Sequence, residues 1–223
     1  MKSNLIDKIF YINLRQDESR KKFIESQISK LNIQVERFAG ITPSIKEITE
    51  GKLKKYYDKA SSPLKNHFLH KSEHKRVLGV FGVYLSHYAI HKKAFYEDIG
   101  NYVVLEDDCL LHEDWIEKLN TFMRNEHTWD IVRSLYHPKF KHITKFNSCH
   151  CNSNFNQSDA DCHNIFGGAH ASLFNGSSKE KILEHIENEK TLHIDAVYST
   201  TQLNVFNLYF TDLAEFPSNI PSH

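Results

Sequence analysis

Three consecutive carboxylates, Glu106-Asp107-Asp108, directly follow the apolar run Tyr102-Val-Val-Leu105. Like charges at this spacing repel and raise one another's pKa unless a cation compensates them. Hard divalent cations take oxygen ligands, and Mg²⁺ or Mn²⁺ is commonly held by one or two carboxylates together with the phosphates of a substrate. The triplet has two readings: a charged turn that caps the next helix, or a cation site where a strand leaves the core. The buried strand in front favours the cation, because open α/β sheets bind ligands beyond the carboxyl ends of their strands.

Other residues with chemical potential read less sharply. His87-x-x-x-His91 has the i, i+4 spacing of a helical zinc pair, but Tyr88 stands where a metalloprotease motif carries Glu, and structural histidines are the better reading. Cys149-His150-Cys151 with Cys162-His163 is a dense cluster lacking the C-x₂₋₄-C spacing of structural zinc sites, so zinc is the lesser reading there. Cys109, next to the acidic triplet, reads as a packing residue. There is no GxxxxGK[ST] loop, which excludes the common nucleotide-hydrolase design.

The elements that must position these groups follow from periodicity. Lys8-Ile-Phe-Tyr-Ile-Asn-Leu14 is a buried first strand. Asp17 caps a helix with Phe23, Ile24, Ile28 and Leu31 at helical spacing, and Ile33 to Phe38 alternates as a second strand. This strand, helix, strand opening predicts a layered α/β fold with a right-handed crossover. Gly79 to Glu97 reads as a helix with Val80, Val83, Tyr84, His87, Tyr88 and Phe95 towards one side. Its two glycines imply a close approach by something at Gly79 and Gly82. Tyr102–Leu105, Trp129–Leu135, Ile165–Phe174 and Val205–Phe210 complete the strands, with Gly167-Gly168 marking a bulge or close backbone contact. Trp115–Met123 forms a helix, and Ser177-Ser-Lys-Glu180 has capping-box spacing before another that holds Ile182, Leu183 and Ile186. His150–Asn164 reads as a polar loop.

The whole chain, 223 residues with 40% hydrophobic and 12% aromatic content, fits one folded domain over 1–223, since no Pro/Gly/Ser-rich linker divides it. Lys+Arg and Asp+Glu balance at 28 each, which removes the simplest case for a nucleic-acid partner. The balance is uneven, however. Residues 46–76 hold nine basic and four acidic side chains, a net +5 offset by the rest of the chain. This segment reads as a solvated surface loop, or as a mobile flap that meets an anionic ligand. Four cysteines and no apolar signal core point to a cytosol-like compartment, with peripheral membrane association left open, and no run approaches the ~20 apolar residues of a transmembrane helix.

Three separated segments resemble glycosyltransferase family 25, which includes bacterial lipopolysaccharide galactosyltransferases and collagen galactosyltransferases. Tyr11-Ile-Asn-Leu14 followed by Arg20 is similar to the family's opening. Gly79-Val-Phe-Gly-Val-Tyr-Leu-Ser-His87 followed by Val104-Leu-Glu-Asp-Asp108 looks like its central signature. Gly167-Gly-Ala-His-Ala-Ser-Leu173 and Ile194-Asp195 resemble two downstream motifs. Two departures stand out: Val83 replaces a frequent Cys, and the Gly-Ala-His-Ala-Ser stretch lacks the usual Tyr.

The resemblance implies a GT-A-type nucleotide-sugar-binding fold, with a single mixed central sheet flanked by helices. It also implies a metal-dependent, inverting transfer of a hexose (galactose or glucose) from a UDP-sugar to a hydroxyl of a glycan, lipopolysaccharide-like or glycoprotein acceptor. The expected cofactor is Mn²⁺ or Mg²⁺, held by Glu106 and Asp108. Asn13, Leu14, Arg20, Ser86, His87, Glu106 and Asp107 are placed at the donor nucleotide. Asp195 is the candidate general base, with a helix N-cap as its alternative, and His170 or His193 would complete the metal shell. A non-catalytic nucleotide-sugar or glycan-binding protein with the same fold is the competing reading.

Overall fold

The structure is a computed structural model that describes residues 4–60, 62–68, 70–125, 128–135, 149–150, 170–200 and 202–209. β1 (Lys8–Asn13) pairs in parallel with β2 (Gln34–Ala39) on one side and β3 (Tyr102–Glu106) on the other. β6 (Ala171–Phe174) then runs antiparallel to β3 and to β4 (Ile131–Leu135). β7 (Val205–Tyr209) pairs parallel with β4, and the short β5 (Cys149–His150) is antiparallel to it. The seven-stranded order is β2-β1-β3-β6-β4-β7-β5, the single mixed sheet that the resemblance implied.

Alternation along the strands divides the core in two. Phe10, Tyr102, Val104, Ile131 and Phe174 face one helical layer, while Ile9, Tyr11, Val103, Leu105 and Leu173 face the other. The second layer is α1 (Glu18–Ile28), which buries Ile24 and Ile28, and α6 (Trp115–Asn125), which buries Trp115, Leu119 and Phe122. Asp17 caps α1 by accepting from the Arg20 N–H. The first layer is built on α5 (His74–Tyr96), joined by α7 (Lys179–Asn188) and α8 (Ile194–Tyr198). No helix among the described residues is long and apolar enough to cross a membrane.

Several expectations need correction. The basic segment is not a loop: it folds into α2 (Ile45–Thr49), α3 (Lys54–Lys59) and α4 (Ser62–Phe68), whose Ile48, Tyr56 and Leu64 are buried in the core. Its charges stay outside because short amphipathic helices need only one or two apolar anchors each. α5 begins at His74, not Gly79, since Val77 already lies in the core. Its buried stripe is Val77, Phe81, Tyr84, Leu85, His87, Ile90, His91 and Ala94, whereas Val83 is exposed and Val80 only partly covered. The box expected at Ser177 is absent, because Asn175 caps a 3₁₀ turn (Gly176–Ser178) in front of α7 by accepting from the Ser177 N–H. A capping box does form between Ser44 and Glu47 on α2. Gly167-Gly168, the loop 150–164 beyond His150, and the Cys151, Cys162 and His163 of the cysteine cluster lie outside the described residues.

Candidate active site

β1, β2 and β3 all finish at the same edge of the sheet, and β6 starts there because it runs the other way. That reversal brings His170, just before β6, beside the end of β3, where its carbonyl accepts from the Glu106 N–H at 2.8 Å. The chain then turns, with the Cys109 N–H donating to the Glu106 carbonyl at 3.2 Å, so Glu106 and Asp108 come round to the same imidazole. His170 Nδ1 lies 2.9 Å from Glu106 Oε2 and 3.4 Å from Asp108 Oδ1. One ligand atom from each of the three falls within 4.8 Å of the others. Cys109 is buried, its thiol donates to the His170 carbonyl, and burial pushes its pKa well up, consistent with packing and not nucleophilic chemistry.

The electrostatics are those of concentrated negative charge. Burial alone would raise the Glu106 carboxyl, but the imidazoles of His170 and His87 facing it outweigh this and hold the group well below the usual carboxylate range. The Asp108 and Glu106 carboxylates beside it push His170 up to about 11, so its imidazolium acts as the local counter-cation. Two carboxylate oxygens and one imidazole nitrogen make a donor set suited to Mn²⁺ and also acceptable to Mg²⁺. Asp108 Oδ1 is buried, with the His170 imidazole 3.4 Å away and no tighter hydrogen bond among the described residues. The residues therefore fit a divalent cation.

Asp107 has a different task. It is buried, accepts from Asn13 Nδ2 at 2.7 Å and from Arg20 Nη1 at 3.0 Å, and so ties the end of β1 and the first turn of α1 to β3. Burial raises its pKa against the lowering effect of those two bonds. Arg37 Nη2 donates to Asn13 Oδ1 at 2.6 Å, which fixes the amide from its other side.

Beside the carboxylates opens a cleft of about 390 Å³. Asn13, Leu14, Arg20, Ser86, Glu106, Asp107 and Asp108 line it, so seven residues expected at a nucleotide or metal meet in one place. His87 does not line it. It is fully buried behind Glu106, with Nε2 3.5 Å from Oε1, and reaches the cleft only through that carboxylate. Asp195 also lies off the cleft lining, in the first turn of α8. His193, and not Asp195, is the N-cap of that helix, and Asp195 Oδ1 is buried without a hydrogen-bond partner among the described residues. His91 makes no metal pair with His87, since both point into the core against tyrosine hydroxyls.

The glycines of α5 divide in role. A Cβ on Gly82 would come within 2.5 Å of the Ile41 carbonyl oxygen, so this glycine lets residues 40–43 pack on the helix; Ser86 Oγ accepts from the Ile41 N–H at 2.9 Å and completes the junction. Nothing lies within 4 Å of a Cβ on Gly79, which faces the open cleft. Sequence reasoning missed Ile41, Thr42, Pro43 and Lys75 as cleft residues. The signal for the first three was available: they follow β2 at the carboxyl edge of the sheet.

No curated protein matches the chain. Among solved structures, one assigned to a nucleotide-diphospho-sugar transferase of Desulfovibrio desulfuricans is 10% identical, with a TM-score of 0.41 over 91% of this chain and 79% of that one. A mannose-1-phosphate geranyltransferase of Thermus thermophilus is also 10% identical, with a TM-score of 0.39 over 92% and 74% respectively. The model of glycosyltransferase family 25, described as LPS biosynthesis protein, matches residues 6–197. That match spans β1, the α5 signature, the β3 carboxylates, His170 and Asp195, and by it the chain belongs to glycosyltransferase family 25.

Proposed function

We propose that this glycosyltransferase moves a hexose, galactose or glucose, from a UDP-sugar to a hydroxyl of a glycan or glycoconjugate, with inversion at the anomeric carbon and with Mn²⁺ or Mg²⁺ as cofactor. The convergence of Glu106, Asp108 and His170 beside the cleft carries this reading. The cleft walls supplied by Ile12, Leu14, Ile41 and Leu78 suit a base and ribose, and Gly79 leaves room for them. A diphosphate next to two carboxylates is repelled unless a cation stands between them. When bound, a divalent cation supplies Lewis-acid stabilisation of the departing diphosphate, worth several kcal/mol by order of magnitude.

The chain's own groups do the rest. Glu106, Asp108 and a deprotonated His170 hold the cation, and Asp107 keeps Asn13 and Arg20 at the end of β1. Asp195, whose buried Oδ1 has a free acceptor position among the described residues, takes the proton of the acceptor hydroxyl as it attacks. UDP-galactose and UDP-glucose turnover, measured with Mn²⁺ and after chelation, tests the reading: a metal-stimulated rate is expected, and none in Asp195→Asn beyond about 10⁻² to 10⁻⁴ of it. UDP-sugar binding with no turnover on any acceptor or on water would establish the binding-protein reading instead.

A further inference from the structure

A row of buried polar groups runs through the core behind the site, and the cleft chemistry does not use it. Tyr102 OH lies 2.6 Å from His91 Nδ1, His91 Nε2 lies 2.6 Å from Tyr198 OH, and Tyr198 OH lies 2.9 Å from His87 Nδ1. His87 Nε2 then faces Glu106 Oε1 at 3.5 Å, with no closer hydrogen-bond partner among the described residues. His87, His91, Tyr102 and Tyr198 are all fully buried, so water does not share in the accounting. The groups come from three elements: two turns of α5, the start of β3 and the end of α8.

A neutral imidazole has one donor and one acceptor nitrogen, and a phenol has one proton to give. Three arrangements of the protons satisfy the three short contacts, since a phenol oxygen can also accept twice. In the first, Tyr102 donates to His91 Nδ1, His91 Nε2–H donates to Tyr198, Tyr198 donates to His87 Nδ1, and His87 Nε2–H points at Glu106. Every proton but the last then has an acceptor at hydrogen-bond distance, and the last points at a carboxylate oxygen 3.5 Å away. In the second, with every donation reversed, the Tyr102 proton has no acceptor among the described residues. In the third, Tyr198 accepts from both histidines and its own proton has none. In both, the His87 Nε2 lone pair faces a carboxylate oxygen. A buried donor without a partner costs its full desolvation penalty, and a lone pair against an anion adds repulsion. Burial keeps His91 neutral, which the first direction requires.

We infer that Tyr102, His91 and Tyr198 form a one-way hydrogen-bond chain that locks His87 as an Nε2–H donor and so orients the Glu106 carboxylate towards the cation. This rests on the cation reading of Glu106, Asp108 and His170. All four residues of the chain are positioning residues: they act on the reaction through Glu106. Partners of this kind typically alter metal affinity by 10- to 100-fold when removed.

The direct test is the tautomer. Long-range ¹H–¹⁵N spectra of the ¹⁵N-labelled, metal-free wild-type protein near neutral pH should show His87 and His91 both as Nε2–H tautomers, with signals assigned by their loss in His87→Gln and His91→Gln. A His87 that carries its proton on Nδ1, or on both nitrogens, overturns the inference, and this readout needs no variant to fold well. Mn²⁺ titration followed by EPR supplies the functional arm. Tyr198→Phe should weaken Mn²⁺ binding by about 10- to 100-fold. His87→Gln, which keeps an amide N–H close to the Nε2 position without needing Tyr198, should make a second Tyr198→Phe change silent. Wild-type affinity in Tyr198→Phe, or an equal penalty in the His87→Gln background, overturns it. Asp108→Asn separates the two readings: unchanged Mn²⁺ affinity there refutes the cation site itself, while the spectra still decide the direction of the chain.

Discussion

The two edges of the central sheet treat their polar groups in opposite ways. At the edge where β4 begins, Asp130 accepts from Lys181 Nζ at 2.5 Å and from the Asn204 N–H at 2.7 Å, while its own N–H and C=O bond Asn204 and Asn175. Asn101 is similarly complete, donating to the Leu5 carbonyl and accepting from the Gly176 N–H at 3.0 Å each. At the edge where β3 ends, Asp108 Oδ1 and His87 Nε2 are buried and lack hydrogen bonds among the described residues, with Asp195 Oδ1 doing the same on α8. Both edges bury acids, yet only one leaves their oxygens open. A satisfied carboxylate holds strands in register; an open one keeps its affinity for something else.

Substitutions can break this contrast. Asp108→Asn should lower metal-stimulated turnover by on the order of 10³-fold, the equivalent of several kcal/mol of lost charge stabilisation. Its thermal midpoint should change little, since the repulsion relieved beside Glu106 and Asp107 offsets the weakened contacts with His170 at 3.4 Å and Arg20 at 3.5 Å. A large fall in the midpoint would make Asp108 structural, like Asp130. Next in size, Gly82→Ala forces a methyl against the Ile41 carbonyl and should cost about 1–3 kcal/mol in urea denaturation, weakening donor binding as residues 40–43 shift.

Asp130→Ala should also cost about 1–3 kcal/mol by leaving the Asn204 N–H without its acceptor, with turnover per folded molecule unchanged. Here pH sharpens the comparison. Burial raises the Asp130 pKa, but bonds from Lys181, Ser178 and the Asn204 N–H win and set it below its ordinary value. Its contribution is therefore complete above the unfolded value of roughly 3.9 and is lost as pH falls through the folded one. The gap between wild type and Asp130→Ala in denaturation should close on acidification; a gap that widens refutes the assignment. The smallest effect belongs to Gly79→Ala, which meets nothing of the protein and should stabilise α5 by about 0.5–1 kcal/mol.

The acidic triplet was legible because three charges directly follow four apolar residues, and the family resemblance separated Glu106 and Asp108 from Asp107. Asn13 and Arg20 were legible through the resemblance of Tyr11–Leu14 and the following Arg20 to the family's opening. The three short helices of 45–68 were not, since charge dominates a segment whose burial rests on single residues such as Ile48, Tyr56 and Leu64. The buried stripe of α5 was misread for a related reason: Val80 and Val83 are as apolar as Val77 and Phe81, and only the packing of residues 40–43 and the cleft decides which pair faces out. His170 and His193 were both named as histidines that could complete the shell, and what puts His170 beside Glu106 is a non-local fact, the antiparallel docking of β6 on β3, which no window of the sequence contains.

That docking has a kinetic consequence. Parallel pairing of β1 with β3 and antiparallel pairing of β3 with β6 join segments far apart in the chain, so both must overcome loop-closure entropy before contacts repay it. Asn13, Glu106 and His170 sit on the separate pieces that these pairings bring together. No single stretch of the polypeptide can assemble the cluster early, and a nascent chain that has not yet reached residue 170 cannot bring Glu106, Asp108 and His170 together.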